Sequence, residues 1–309
     1  MPYLMLILSA FFWSGNFVLS RGMHTEIAPI SLSFWRWAVA LLILLPFALK
    51  PLKQDRQIIQ KNLKFIIFQG IISITGFNTL IYIALQSTTA INASLVNSAI
   101  PVMIAVISQA VYRERLTGFQ SMGILLSLFG VLYLMSKGNL DILLAMEFNR
   151  GDIVVLFATL LWATYSVNLK KAPRELHQIS YLASINIVGV LALVPFFLHD
   201  IALGKTFPIT LPNVMTIGYV ALFASVLAFL FWNGAIKKLG ANKAGPFIHL
   251  MPVFSTILAV LFLDEKLMHY HLTGIIFVFA GIFITSFKFS MVFRNNVAGA
   301  GSPIKGQVK

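Results

Sequence analysis

The feature that most constrains the fold of this chain is a series of apolar runs, each about 20 residues long, separated by short polar segments. A hydrocarbon core about 30 Å thick requires roughly 20 apolar residues in a helix to cross it. Unpaired backbone groups are too costly in lipid for irregular structure, and the runs are too continuous for barrel strands. The sequence therefore predicts an all-α integral membrane protein.

Ten such runs can be placed along the 309 residues. The predicted spans are residues 3–20, 32–49, 64–85, 92–111, 118–136, 152–169, 180–198, 212–234, 243–263 and 270–290. Charged residues make up 11% of the chain, whereas a soluble domain carries about a quarter. The chain has no cysteine, which excludes a disulfide framework and a cysteine metal site.

The net charge of +13 is carried by basic residues that lie between the apolar runs. We attribute this pattern to membrane orientation and not to nucleic-acid binding, because cytoplasmic loops hold the excess of Lys and Arg. With the N-terminus inside, 17 basic residues fall on the cytoplasmic side and five on the outer side. We expect a multi-pass protein of a bacterial inner (plasma) membrane with both termini cytoplasmic.

The chain resembles itself at an offset of about 150 residues. At offsets of 149 to 151, the matching pairs are Trp13 with Trp162, Pro46 with Pro195, Pro101 with Pro252, Glu114 with Glu265, Gly123 with Gly274, and Gly130 with Gly281. Five spans per half would insert the second half from the opposite side, as in many secondary transporters. The prediction is two inverted five-helix repeats, residues 1–137 and 150–290, followed by a disordered cytoplasmic tail, 291–309. A duplication that merely enlarges the bundle is the alternative.

Several of these residues also belong to a sequence pattern that other proteins share. Each half begins with a Trp-containing helix, and the second span holds Arg36 in FWRW. Each half ends with a short Glu loop, RERLT or DEKLM, followed by G-x(6)-G. In these features the chain resembles the drug/metabolite transporter superfamily, specifically the EamA-type group with ten transmembrane helices. The resemblance implies a central cavity walled by helices of both halves, with the last helix of each half packed outside it.

Polar and aromatic residues at membrane depth are the candidates for the substrate-binding cavity. Trp and Tyr would pack against an organic solute and Asn would orient it. The candidates are Trp13, Asn16, Asn78, Tyr82, Asn97, Trp162, Tyr165, Asn168, Asn233 and His249. The alternative for each is a hydrogen bond to a neighbouring helix. The set favours an amphipathic or aromatic organic solute over a bare inorganic ion.

Two ionisable residues within the spans have alternative interpretations. His249, between two prolines, would bind solute or a proton, or bond a neighbouring helix. Arg36 would pair with an anionic group in the cavity, or instead reach the outer headgroups or pair with Glu26. The flanking Trp35 and Trp37 suit an interfacial aromatic belt and favour the surface alternative.

The sequence as a whole favours a secondary transporter that exports small organic metabolites, such as amino acids or related amphipathic compounds, by alternating access. Enzyme, nucleotide and dinucleotide motifs are missing, and we expect no catalytic residues, cofactor or metal. The expected partners are a small organic solute and membrane lipid, with a homodimer left open. The alternatives are an intramembrane lipid-modifying enzyme using the 264–271 loop, and a membrane subunit that does not transport.

Overall fold

The computed structural model describes residues 1–23, 27–88, 90–145, 149–205, 207–262 and 268–286, and every regular element among them is helical. The longer helices are α1 (Pro2–Met23), α2 (Pro29–Gln54), α3 (Leu63–Ala84), α4 (Asn92–Tyr112), α5 (Gly118–Met135), α6 (Arg150–Lys171), α7 (Gln178–Ala202), α8 (Leu211–Leu239), α9 (Leu250–Phe262) and α10 (His269–Ser286). The all-α prediction is confirmed for these residues.

Eight of these helices, α2 to α8 and α10, are long enough and apolar enough to cross a membrane. They overlap eight of the ten predicted spans. The other two predicted spans coincide with α1 and with residues 241–262, where the short helices Ala241–Ala244 and Gly245–His249 precede α9. The structure thus supports a multi-pass membrane protein, while the count of ten spans stays a prediction. The predicted tail, 291–309, lies outside the described residues.

Polar residues in the short links begin several of these helices. The Thr117 hydroxyl accepts a hydrogen bond from the Gln120 backbone N–H, and the Gln120 side chain accepts one from the Thr117 N–H. Asn149 and Asp152 form the same reciprocal arrangement at the start of α6. These capping boxes satisfy N–H groups that a helix start leaves unpaired, so the polar links fix where α5 and α6 begin.

Helices of each sequence half pack against helices of the other half. The first helix of the chain, α1, packs on α8 and α9, and α6 packs in the corresponding way on α3 and α4. The helices α2 and α7 pack on each other, as do α5 and α10. Each half is therefore built against the other, and neither forms a separate bundle.

Glycines bring α5 and α10 unusually close together. A Cβ on Gly123 would lie 2.5 Å from the Gly281 carbonyl oxygen, and one on Gly130 would lie 2.8 Å from the Gly274 carbonyl oxygen. Small residues of this kind allow backbones to approach in membrane helix pairs. The spacing of seven between the glycines thus marks a small packing face on each helix, and the two faces meet.

Two helices contain a wider, π-helical segment. The segment in α3 covers Ile71–Asn78, and the one in α8 covers Val220–Leu227. Both are eight residues long, and they lie 149 positions apart. Such segments are rare and frequently occur at functional sites. They place an irregular backbone at corresponding positions of the two halves.

Candidate functional site

A cavity lies at the centre of the helix bundle and receives side chains from both halves. Its lining residues are Trp13, Asn16, Arg36, Phe77, Asn78, Ile81, Tyr82, Asn97, Ile100, Trp162, Phe229, Ile248 and Met251. The volume of the cavity is about 460 Å³, which includes space open to the surroundings of the bundle.

Aromatic rings form one part of the cavity wall. The Trp13 and Trp162 rings meet edge to face with centroids 5.2 Å apart. Trp162 also contacts Phe77 at 4.8 Å and Phe229 at 5.3 Å, and Trp232 packs behind Trp13 at 5.4 Å. Such ring pairs stabilise each other beyond their buried area. The cluster offers flat apolar surfaces to the non-polar part of a solute.

Arg36 forms the polar part of the wall. Its side chain is 1% exposed, so it does not extend to the membrane surface. Its Nε donates to Ser225 Oγ at 2.6 Å, Nη1 to the Tyr82 hydroxyl at 2.8 Å, and Nη2 to the Ala224 carbonyl oxygen at 3.0 Å. Tyr82 in turn donates to Asn16 Oδ1 at 3.1 Å. A guanidinium is thus held at the cavity by three uncharged acceptors.

The π-helical segment of α8 explains why these acceptors are available. The Ala224 carbonyl oxygen also accepts a hydrogen bond from Trp13 Nε1 at 3.0 Å, and the Ser225 hydroxyl donates to the Val220 carbonyl oxygen at 2.9 Å. A π-helical turn frees carbonyl groups from the usual α-helical pairing. This segment therefore joins α1 and α2 to α8 beside the cavity.

Two asparagines complete the polar lining. Asn78 Nδ2 donates to the Ser73 carbonyl oxygen at 2.7 Å, within the π-helical segment of α3. Asn97 is 6% exposed, and its Oδ1 has no hydrogen-bond partner. Asn97 also borders an adjoining cavity of about 300 Å³ lined by Ser94, Ser98, Ile248, Met251, Pro252 and Ser255. A buried polar atom without a partner is costly, so Asn97 is available to accept a hydrogen bond from a solute.

The structure brings together seven of the eleven residues singled out from the sequence. Those that line the central cavity are Trp13, Asn16, Arg36, Asn78, Tyr82, Asn97 and Trp162. The other four, Tyr165, Asn168, Asn233 and His249, do not line it. Whether any of them binds solute stays a prediction.

Three of these four residues lie towards one end of the bundle. The Tyr165 hydroxyl donates to Asn233 Oδ1 at 2.8 Å, and the Tyr165 ring packs on Trp162 at 5.3 Å. Asn168 accepts a hydrogen bond from the Tyr112 hydroxyl at 3.1 Å. These interhelical bonds are the structural alternative considered for each residue. Asn233 borders a further cavity of about 340 Å³, so Tyr165 stands between the central cavity and that one.

His249 is fully buried and faces α5 instead of the central cavity. Its Nδ1 lies 2.7 Å from Ser127 Oγ, and its Nε2 lies 2.9 Å from the Ser98 carbonyl oxygen. Both ring nitrogens therefore have partners on neighbouring helices. This geometry matches the interhelical alternative, and a solute could reach the ring only by displacing these partners.

Another, larger cavity lies at the loop end beyond Asn233. Its volume is about 670 Å³, which includes space open to solvent, and it is lined in part by Glu114, Lys170, Arg174 and Lys237. Lys170 pairs with Glu114, and Lys237 Nζ donates to the Arg174 carbonyl oxygen at 2.9 Å. The residues at this end of the bundle belong to loops predicted to be cytoplasmic. The cavity there is basic.

Asp55 connects α2 to α7 near the same end. It is buried and accepts hydrogen bonds from the backbone N–H and Nδ1 of His177, each at 3.0 Å. Burial by itself raises the pKa of the Asp55 carboxyl, but its hydrogen bonds and the charge of His177 outweigh this effect and the pKa lies below its ordinary value. Among the described residues, no three His, Asp or Glu side chains gather in a way that could hold a metal ion.

Several lining residues were not predicted from the sequence, namely Phe77, Ile81, Ile100, Phe229, Ile248 and Met251. An apolar residue in an apolar run gives no signal of whether it faces lipid, a neighbouring helix or a cavity. Ser225 was also missed, although a hydroxyl within ALFASVLAF is a weak signal of an interhelical bond.

Comparisons with known proteins agree with this architecture. The model of the EamA-like transporter family matches the chain twice, over residues 1–136 and 149–287. The "Uncharacterized transporter YyaM" of Bacillus subtilis is 25% identical over 92% of this chain and 93% of its own length. The "Probable amino-acid metabolite efflux pump" of Escherichia coli is 24% identical over 89% of this chain and 91% of its own length.

A solved crystal structure has the same fold, with a TM-score of 0.75 and 16% sequence identity over 96% of this chain and 98% of that one. The fold, the central cavity and the double match of the family model agree with one another. The chain therefore belongs to the EamA-like transporter family of the drug/metabolite transporter superfamily, and it is a multi-pass membrane transporter.

Proposed function

We propose that this transporter exports small organic metabolites that are amphipathic or carry an aromatic ring. The observation that supports the proposal most directly is the central cavity, where a ring cluster and a set of amides and hydroxyls share one wall. Pockets for organic ligands combine apolar surfaces with a few placed polar groups in this way. Trp13 and Trp162 would pack on the apolar part, and Asn16, Asn78, Tyr82 and Asn97 would orient the polar part.

We further propose that the two halves are inverted five-helix repeats that transport by alternating access. Three observations support this proposal. The helices Gly118–Met135 and His269–Ser286 are each 18 residues long and lie 151 positions apart, and the π-helical segments recur at 149. The halves exchange packing partners. The family model also matches each half separately.

Two similar folds of opposite orientation have two near-equivalent ways to pack, one opening inward and one outward. The proposal includes ten spans in a bacterial inner membrane, with both termini in the cytoplasm, as the basic loops favour. On that orientation the basic cavity faces the cytoplasm. The name of the Escherichia coli relative, an efflux pump, supports export as the direction of transport.

Reconstitution of the purified chain into liposomes tests the transport proposal. A panel of labelled amino acids, aromatic acids, nucleosides and vitamins should include solutes whose flux requires the protein. Trp162→Ala removes a ring that contacts three other rings of the wall, those of Trp13, Phe77 and Phe229, so the flux should fall at least about tenfold while expression is kept. Trp35→Ala is the matched control, because Trp35 is 38% exposed on the outside of α2.

Absence of flux for the whole panel would contradict the transport proposal and favour a subunit without transport activity. An equal loss of flux in the Trp162→Ala and Trp35→Ala proteins would show that the central cavity is not the path of the solute. The enzyme alternative predicts a chemical change in lipid head groups, and loss of that activity on substitution within the 264–271 loop.

A further inference from the structure

Arg36 places a full positive charge in the wall of the central cavity. Its guanidinium does not lose its proton in proteins. The groups that accept its hydrogen bonds, in Ser225, Tyr82 and Ala224, are two hydroxyls and a carbonyl. A buried charge is unfavourable unless an opposite charge compensates it. The cavity is therefore prepared for a group that brings a negative charge.

We propose that the solute is an organic monoanion whose carboxylate, or a similar anionic group, binds the guanidinium of Arg36. The apolar body of the solute would pack on the rings of Trp13 and Trp162. This inference rests on the proposed function, since it names the chemical class of solute that the central cavity transports.

The geometry of Arg36 fits such a role. A guanidinium has five N–H donors, and the protein uses three of them. These three bonds fix the plane of the group, and the two N–H donors that remain, one on Nη1 and one on Nη2, are the number that a bidentate carboxylate would use. Trp13 Nε1 donates to the same Ala224 carbonyl oxygen as Arg36. The charged group thus borders the ring cluster directly, so one small solute can touch both.

Asn97 is a second polar group of the wall that the solute can use. It lines the cavity, and its buried Oδ1 has no hydrogen-bond partner among the described residues, so it would accept a hydrogen bond from a hydroxyl or N–H of the solute. An ammonium would be a second cation in the wall, where the other polar groups, those of Asn16, Asn78 and Tyr82, are uncharged. A net anion therefore suits the wall better than a zwitterion.

The basic cavity at the loop end of the bundle is consistent with an anionic solute. Lys170, Arg174 and Lys237 line it together with one acidic residue, Glu114, which pairs with Lys170. A cleft with an excess of one sign of charge raises the local concentration of ions of the opposite sign. On the proposed orientation, this cavity would collect the anion from the cytoplasm.

Three probes of matched shape test the inference. The first, 2-phenylethanesulfonate, stays anionic and therefore cannot leak across lipid as a neutral acid. The second and third are the neutral 2-phenylethanesulfonamide and the cationic 2-phenylethylamine. Binding is followed by quenching of the tryptophan fluorescence in detergent, and flux is followed in liposomes without a pH gradient. We expect the sulfonate to bind about 10- to 100-fold more tightly than the sulfonamide, as a charge-assisted bond would give.

Variants then assign the preference to Arg36. The Arg36→Gln protein should lose the preference for the anion, and Arg36→Lys should keep part of it, because the charge remains and the fork is lost. Lys205→Gln is the matched control, since Lys205 is an exposed lysine that pairs with Asp200 at a loop. That variant should keep the selectivity of the unaltered protein.

Two results would overturn the inference while leaving transport intact. One is equal or stronger binding of the neutral or cationic probe, together with an equal or greater flux above that of protein-free liposomes, or a general preference for zwitterions among panel solutes. The other is a retained anion preference in the Arg36→Gln protein. If the Arg36→Gln protein does not fold, the preference of the unaltered protein among the three probes still tests whether the solute is an anion. Absence of flux for every probe and panel solute would instead be a failure of the proposed function.

Discussion

The two π-helical segments have the same length and corresponding positions, yet different contacts stabilise them. The segment in α3 packs tightly on α7, where a Cβ on Gly189 would collide with Ile74 Cγ2, and just before the segment a Cβ on Gly70 would lie 2.7 Å from the Ile185 carbonyl oxygen. The segment in α8 is instead bound to α2 through hydrogen bonds from Arg36. At the offset of 149, Arg36 corresponds to Ile185.

The two halves share the shape of this backbone but not the contacts that stabilise it. The π-helical backbone recurs over the same number of residues in both segments. The side chains that stabilise it are unlike each other, apolar and close-packed on one side and charged on the other. The charge in the wall of the central cavity therefore lies on one side, in Arg36.

The largest expected effect is on the close-packed segment. Gly70→Ala would push a methyl group against the backbone of α7, and we expect the free energy of unfolding to fall by about 3 kcal/mol. Gly218→Ala, just before the other segment, is the control, because a Cβ there meets nothing within 4 Å. Unfolding in mixed micelles measures both. Equal stability of the two proteins would contradict the close packing of α3 on α7.

The next effect concerns the hydrogen-bonded segment. Ser225→Ala removes the acceptor of Arg36 Nε, and leaving a charged donor unpaired should cost about 2 kcal/mol. Ser73→Ala is the matched change in α3, since Ser73 donates to the Gln69 carbonyl oxygen within its own helix, as Ser225 does to Val220, but does not contact Arg36. The difference between the two losses of stability measures the Arg36 bond, and no difference would argue against it.

The smallest effect compares the two corresponding tryptophans. Trp13→Phe and Trp162→Phe remove the same ring atoms, but only Trp13 Nε1 donates to the Ala224 carbonyl oxygen. We expect Trp13→Phe to be less stable than Trp162→Phe by about 1 kcal/mol, the usual net value of one hydrogen bond. Thermal unfolding of the two purified proteins makes the comparison, and the reverse order of stability would weaken the proposed difference between the segments.

Much of the fold could be predicted from the sequence because membrane thickness dictates the length of each span. The π-helical segments could not, since IISITGFN and VALFASVL share no pattern that specifies them. Their wider turns lie where α3 packs on α7 and where α8 packs on α2. The interruption of the helix at the start of the ninth predicted span could be expected from Pro246, which lies within the short helix Gly245–His249.

The candidate site was predicted only in part. The type of a residue indicates whether it lies within a span better than it indicates which side of the helix it lies on. His249 lies in the ninth predicted span, but the neighbouring Ile248 lines the cavity instead, since successive residues of a 3₁₀-helix differ in direction by about 120°. The same limit affected Arg36. Its flanking tryptophans favoured the membrane surface, yet Trp35 is partly exposed while Trp37 is fully buried, so neighbours in the sequence report little about where Arg36 points.

The glycine contacts between α5 and α10 restrict how this molecule can move. Main-chain atoms of the two helices meet there without intervening side chains, so sliding or rolling of one helix on the other would bring atoms into collision. We therefore expect α5 and α10 to move as one rigid pair. A rearrangement that exposes the interior to one face of the membrane would then be taken up by the remaining helices.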